Sequence, residues 1–480
     1  MNKPLQTKSF LLFLSMAVLL LLFAQTACIS GSKNVQKKQP IILKPDLPSS
    51  DKSEVTPPNS NTTVPQKTVT PTGTKLPPPP ENPVKVHKEP AVIDTTAGRL
   101  LPKLPPVFSV AVMLPFGARN YQPNAAMDSV PENSNLALEF YEGMLLAFDK
   151  LKQEGISLKV NVLDTENNPD VAARLLQTPE LQAADVIVGP VYNKELKPVA
   201  AFAQQNKIPM IAPLSPSGGV TRQNPYYLLA NPSIEAQCAA IYRYIATGYG
   251  KKRIIAVCTN KPNETTLADL FFGFSGTAVL PETRDVPPVM VNKLVYAFQN
   301  QATLESYLSA AEDNMVVVTS FDPLLIHDLT SKLNQLRSKY RITLFGMPNW
   351  LNLETIDFGY MANLNLHLPL PFFQNKLNPA NTEFKRNYFY TFQTQPTEYA
   401  CRGYDLMLWL GRALQNNGKN FIQNPHEVNP AGIYTNFVFE PTITGQYAAT
   451  SKLTTPDYLE NRFVNIVRYR PDFMFEVVNK

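Results

Sequence analysis

The chain has 480 residues, more than one compact core usually organises, so two or more lobes are expected. Charged residues make up 17% and the formal net charge is +5, a thin basic excess that gives no support to nucleic-acid binding. The 44 prolines are placed unevenly, and that unevenness draws the domain map.

Lys3 and Lys8 precede an apolar run from Phe10 to Phe23, the pattern of a secretory signal over residues 1–27. The run is shorter than the roughly 20 residues that a membrane-spanning helix needs. It ends in Ala24-Gln25-Thr26-Ala27-Cys28, which resembles a bacterial lipobox; Thr26, Ala27 and Cys28 fit it, while Gln25 stands where an aliphatic residue is usual. Two outcomes stand: lipidation of Cys28, which is favoured, or cleavage near Ala27. Both export the chain.

Residues 28–107 are expected to form a disordered, Pro-rich tether. Between Ile29 and Pro106 there is no aromatic residue, and 16 of the 44 prolines fall there. Such a stretch cannot bury enough apolar surface to offset its ordering entropy. As a coil it spans on the order of 50 Å, enough to stand a folded domain off a bilayer. Of the four cysteines, Cys238, Cys258 and Cys401 lie in the folded part, without metal-ligand spacing, and are read as buried thiols; a Cys238–Cys258 bridge has nothing to support it.

Folding is expected from residue 108 onward. Phe108 to Leu114 reads as a buried strand, Gly117 to Asn135 as a loop, Leu136 to Glu154 as an amphipathic helix, and Ser157 to Leu163 as a strand. Asp170 to Leu176 is helical. Asp185 to Ser217 forms a complete strand–helix–strand unit: a β-branched run to Val188, a helix from Lys194 to Asn206, and a strand from Ile208 to Ala212. Its strand ends are the loops 189–193 and 213–217, where an open α/β sheet binds ligands.

Tyr226 to Ala230 closes the first series of strands. A second series follows, with strands at Arg253–Thr259, Val289–Phe298, Met315–Ser320 and Arg341–Gly346. Helices at Ser233–Tyr249, Thr265–Phe274, Ala302–Glu312 and Pro323–Lys339 alternate with them, which implies a second parallel sheet. Helices at Asn381–Phe392 and Glu398–Asn416 come next. The remainder reads as antiparallel strands at Phe437–Phe439, Phe463–Tyr469 and Phe473–Val478.

Several places carry a resemblance to a known family. They are Leu114-Pro115-Phe116 at the first strand end, Tyr141-Glu142-Gly143 in the first helix, Gly189-Pro190, and Ile211-Ala212-Pro213 with its Ser-rich loop. Leu229-Ala230-Asn231-Pro232 then leads to Lys251 through Val257, and Pro396, Tyr399, Gly403, Tyr404 and Asp405 occur late in the chain. In order and spacing the chain resembles the type I periplasmic binding proteins of the branched-chain amino acid receptor kind. The resemblance implies an α/β fold of two lobes, each a parallel sheet flanked by helices, with antiparallel carboxyl-terminal strands. Three crossings would join lobe one (108–230 and 367–425) to lobe two (231–366 and 426–480), with a ligand cleft between them that closes by a hinge motion.

That family holds an amino acid carboxylate with hydroxyl residues in the two loops. Here the first loop offers Tyr192, Asn193 and Lys194 beside Gly189, and the second keeps Ser215 and Ser217. Tyr192 either stacks on a ligand ring or packs locally; Lys194 either meets an anion or faces solvent. Phe116 lies at the first strand end. In lobe two, Phe321 and Asp322 follow a strand end, where Asp322 either reaches the cleft or caps the helix starting at Pro323. Trp350 either lines the cleft or packs inside. The expected ligand residues are therefore Phe116, Gly189, Tyr192, Asn193, Ser215, Ser217 and Asp322.

Enzyme signals are poor. Gly273-Phe274-Ser275-Gly276 is followed by Thr277 where a nucleophile elbow needs Gly, the four histidines pair with no nucleophile, and no phosphate loop is present. No catalytic residue, metal or cofactor is expected. The implied function is that of a non-catalytic solute-binding lipoprotein, which holds an amino acid or related metabolite and serves a transporter. It would be lipid-anchored in the envelope, facing the periplasm, on the outer membrane. The rival is an envelope interaction protein that regulates cell-wall synthesis enzymes through the same fold without a transported ligand.

Overall fold

The structure, a computed structural model, describes residues 92–93, 100–101, 106–120, 132–275, 286–353, 357–374, 378–423, 425, 432–443 and 455–479. The expected signal segment, Cys28 and most of the Pro-rich stretch lie outside the described residues. Inside that stretch, β1 (Val92–Ile93) and β2 (Leu100–Leu101) pair antiparallel. The expectation of an unstructured tether missed these two apolar dipeptides, which an inventory of prolines and aromatics does not register.

The first lobe's early strands are β3 (Phe108–Leu114), β4 (Leu158–Asp164), β5 (Val186–Val188), β6 (Met210–Ala212) and β7 (Tyr227–Leu229). β8 (Lys252–Cys258), β9 (Met290–Val295), β10 (Asp313–Val318), β11 (Ile342–Phe345) and β12 (His367–Leu370) follow. The late strands are β13 (Phe439–Thr442), β14 (Tyr458–Asn461), β15 (Asn465–Tyr469) and β16 (Phe475–Val477). They make two seven-stranded sheets, in the orders β13-β14-β7-β6-β5-β3-β4 and β16-β15-β12-β11-β10-β8-β9. Pairing is parallel except at β13–β14, β12–β15 and β15–β16.

The described helices are α1 (Glu132–Gln153), α2 (Pro169–Leu175), α3 (Pro179–Gln182), α4 (Asn193–Asn206), α5 (Ile234–Gly248) and α6 (Pro262–Ser275), then α7 (Gln301–Glu305), α8 (Pro323–Leu336), α9 (Phe358–Asn363), α10 (Pro379–Phe392) and α11 (Glu398–Asn417). Their starts are chemical: Asn168, Ser233, Asn300, Asp322, Asp357, Asn378 and Thr397 each accept a backbone N–H of the first turn. α7 is shorter than the helix expected over Ala302–Glu312. The Asn314 side chain accepts from Ser309 N–H and donates to Ser309 C=O, holding that segment in a turn.

Sheet one shows why a strand buried on both faces reads as a continuous apolar run. Val110, Val112 and Leu114 of β3 enter the core beneath α1 and α11, while Ala111 and Met113 enter the opposite core beneath α4. β5 and β6 divide their residues in the same way, with Val186, Val188 and Ile211 on one side and Ile187, Met210 and Ala212 on the other. Each fully buried Val, Leu or Ile contributes about 1.5–3 kcal/mol relative to exposure, so the two-sided burial fixes this sheet's register. Sheet two has one large core of its own, including Cys258, Phe271, Phe345 and Trp350. Cys238, Cys258 and Cys401 are free and buried.

The chain divides between the sheets differently from the expected partition. His367–Leu370 is β12 of sheet two, not part of lobe one, and β13 and β14 belong to sheet one, not lobe two. Only β15 and β16 of the late strands join sheet two. Pro369 lacks a ladder N–H, yet β12 pairs antiparallel with β15, while Phe345–His367 is its one register pair with β11. β14 was unreadable because Glu460 and Asn461, polar but buried, serve the crossings. Glu460 accepts from Ser233 N–H, and Asn461 accepts from Val438 and Phe463 N–H and donates to Ala230 C=O. The three crossings therefore follow β7, β12 and β14.

Two glycines bring α1 and α11 into backbone contact. A Cβ on Gly143 would stand 1.8 Å from Ala400 C=O oxygen, and one on Gly403 would stand 2.0 Å from Phe140 oxygen. Only hydrogen fits at either position. This contact sets the first turn of α11 beside the strand ends of sheet one.

Candidate ligand-binding site

The loops after β5 and β6 meet at the carboxyl edge of sheet one. Gly189 adopts φ +97°, and a Cβ there would lie 2.1 Å from the Met113 carbonyl oxygen. It is thus a backbone requirement that lets the 190–193 loop leave against β3. Ser215 Oγ donates to Asn193 Oδ1 at 2.6 Å and accepts from Ser217 N–H at 3.1 Å. Asn231 Nδ2 donates to Leu214 C=O at 2.8 Å, tying the second loop to the first crossing.

A cavity of about 480 Å³ opens at this junction. Tyr192, Asn193 and Ser215 line it, together with Leu136 of α1 and Tyr399 and Arg402 of α11; Val191 and Leu214 complete the wall. Among the described residues, every one lining it comes from the sheet-one side. Tyr192 and Tyr399 are half-buried against the core of that lobe. Lys194, one residue beyond, is exposed.

Arg402 is the strongest electrostatic feature of the cavity. Its side chain is only 16% exposed and pairs with Glu398, Nη2 to Oε2 at 3.3 Å. The guanidinium carbon sits 3.7 Å from the centre of the Phe372 ring, on the second crossing. Its Nε is buried with no hydrogen-bond partner. Burial pulls its pKa below the usual value, partly offset by Glu398. A buried N–H left unpaired costs about 1–3 kcal/mol.

The other expected residues are placed elsewhere. Phe116 packs edge-on to Tyr141, with ring centres 5.9 Å apart. Ser217 contributes its backbone N–H to the loop. Asp322 caps α8, accepting from Leu324 N–H at 3.0 Å, and pairs with Lys261 at 3.4 Å. Trp350 is buried and donates to Ser320 C=O. The strand ends of sheet two instead expose Phe321, Leu324 and Leu351. Of the residues expected from the sequence, Tyr192, Asn193 and Ser215 line this cavity, and Arg402, which was not among them, lines it too. The available signal was its i, i+3 spacing from Tyr399 on a helix otherwise apolar on that face.

Among the described residues no group of His, Cys, Asp and Glu is arranged to hold a metal ion, and no helix is long and apolar enough to cross a membrane.

Residues 133–271 match the family model described as periplasmic binding protein. Among solved structures, a Rhodospirillum rubrum protein described as a branched-chain amino acid ABC transporter is similar, with 15% identity, 78% of this chain and 99% of that chain covered, and a TM-score of 0.50. An ABC transporter substrate-binding protein of Desulfitobacterium hafniense in complex with Leu has 16% identity, covers 78% of this chain and 100% of its own, and has a TM-score of 0.46. Comparison with curated proteins finds no match. The chain has the two-lobed type I periplasmic-binding-protein fold, and the resemblance drawn from its sequence holds.

Proposed function

We propose that the chain is a non-catalytic solute-binding protein whose ligand, an amino acid or related small polar metabolite, enters the cavity at the ends of β5 and β6. The observation that carries this is the convergence of Tyr192, Asn193 and Ser215 with the under-partnered Arg402 on one cavity. In this proposal Cys28 bears the lipid and residues 28–107 act as the tether. The folded lobes face the periplasm from the outer membrane and pass the ligand to a transporter. The similar Rhodospirillum rubrum protein, described as a branched-chain amino acid ABC transporter, supports that assignment.

A second reading, the envelope interaction protein acting on cell-wall synthases, draws on a different observation. The described residues lining the cavity come from one lobe, and the strand ends of the other expose Phe321, Leu324 and Leu351. A scaffold that needs no enclosed solute fits that arrangement.

Thermal unfolding of the full chain against amino acids, organic acids, sugars, nucleobases and cell-wall fragments tests the first reading. A ligand at 100 times its Kd adds about 2.7 kcal/mol, a clear rise in Tm. The expected result is a hit that vanishes when Tyr192 and Ser215 are both changed to Ala. A hit indifferent to those changes, or none, transfers the case to the second reading, to be pursued by cross-linking in the intact envelope.

A further inference from the structure

We infer that the cavity recognises a small organic acid through its anionic oxygen group, with Arg402 as the anchor and no provision for an ammonium group. This rests on the cavity being the ligand site.

The inference starts with Ser215. Its hydroxyl hydrogen is given to Asn193 and its oxygen already accepts from Ser217 N–H, so it has no proton left for a carboxylate. The hydroxyl-based anchor implied by the family resemblance is therefore spent on joining the two loops. Arg402 supplies what the hydroxyl cannot. A guanidinium has five donors in a planar fork that matches two anionic oxygens. Here one donor meets Glu398 at 3.3 Å, and Nε is buried without a partner. Phe372 covers one face of the plane, which holds the fork in orientation. Glu398 is a weak competitor because its side chain is 56% exposed and solvated.

The rest of the lining sets the ligand's body. Leu136, Val191 and Leu214 offer apolar contact, and Asn193, whose side-chain oxygen is committed, offers its amide hydrogens. Among the described lining residues there is no Asp or Glu, and the nearby Glu398 carboxylate is already paired with Arg402, so a protonated amine has no carboxylate of its own there. A cation beside Arg402 would be repelled in a site where burial weakens screening. A compact 2-oxo or 2-hydroxy acid satisfies every group; the corresponding amino acid leaves its ammonium unanswered.

The experiment is isothermal titration of the full chain with matched probes of four to six carbons: 2-oxo and 2-hydroxy acids, the corresponding amino acids, and the uncharged amides of the same acids. The acids are expected to bind roughly ten- to hundredfold tighter than the amides, the range of a charged hydrogen bond gained or lost. They are also expected to bind tighter than the amino acids. Arg402→Gln should remove the preference for acid over amide, and Arg402→Lys should restore part of it. Equal binding of acids and amides by the unmodified chain overturns the anchor, and that comparison needs no variant to fold. Tighter binding of the amino acids overturns the exclusion of ammonium. If acids and amides bind alike but Tyr192→Ala abolishes both, the cavity stands and the anchor falls. If no probe of any class binds, the cavity falls as the ligand site and the inference falls with it.

Discussion

Replacing Asp405 by Ala is expected to cost about 3–5 kcal/mol of folding stability, because three buried donors lose their acceptor at once. Asp405 is 1% exposed in α11. Its Oδ1 accepts from Ile433 N–H at 2.8 Å, and its Oδ2 accepts from Tyr434 and Thr435 N–H at 2.9 and 3.1 Å. No strand or helix partner replaces these bonds, since 432–436 is irregular backbone. The consequence reaches the cavity. Tyr434 C=O accepts from Phe373 N–H, and Thr435 Oγ1 donates to Pro371 C=O, so the same segment steadies the crossing that carries Phe372 against Arg402. Burial raises the Asp405 carboxyl to about 7 against the pull of its three N–H partners, so the unmodified chain loses stability as the pH rises from the ordinary carboxylate range past 7, and urea unfolding should show a larger loss on substitution at pH 5 than at pH 8. A loss under about 1 kcal/mol would mean that water reaches the three N–H groups after truncation.

The second large effect is a loss of stability in acid traceable to His367. This residue is fully buried at the start of β12, stacked on Phe345 with ring centres 4.9 Å apart. Its Nδ1 bonds Asn365 C=O at 2.7 Å, which requires the proton on that nitrogen. Burial lowers its pKa from 6.5 to about 4, only partly opposed by the Asn365 bond. The unfolded chain takes up a proton near 6.5, whereas the folded chain resists until about 4. The contribution is therefore complete above pH 6.5 and is lost as the pH falls towards 4. At pH 4.5 the loss relative to pH 7.5 is about 2.5 kcal/mol, to within a factor of two. Stability measured by urea at both values should fall more steeply for the unmodified chain than for His367→Gln. Equal slopes would show that the ring is hydrated or already charged in the native state.

These two residues also mark where sequence reading stopped. Asp185 to Ser217 was legible because both strands are short apolar runs closed by proline, and β5, α4 and β6 lie where those runs predict. Tyr192, Asn193 and Ser215 could be named as candidates because they lie in the loops after two parallel strands, and they line one cavity. His367, by contrast, opens a strand containing Pro369, and Glu460 and Asn461 are polar residues whose burial is intelligible only once the crossings exist. Arg402 joins the site through a helix far along the chain, placed by Gly143 and Gly403 in a contact that no local pattern encodes. Periodicity reports which face a residue occupies; it does not report which distant loop that face will meet.

The central claim, that a ligand is held at the carboxyl edge of sheet one, is tested most directly by amide hydrogen exchange of the full chain with and without the best-binding acid. The expected result is new protection at 191–193, 214–217 and 399–402, together with the crossing that carries Phe372. Protection confined to the outer face of the same lobe, in the second cavity of about 500 Å³ lined by Lys150, Asn387 and Tyr390, would contradict it.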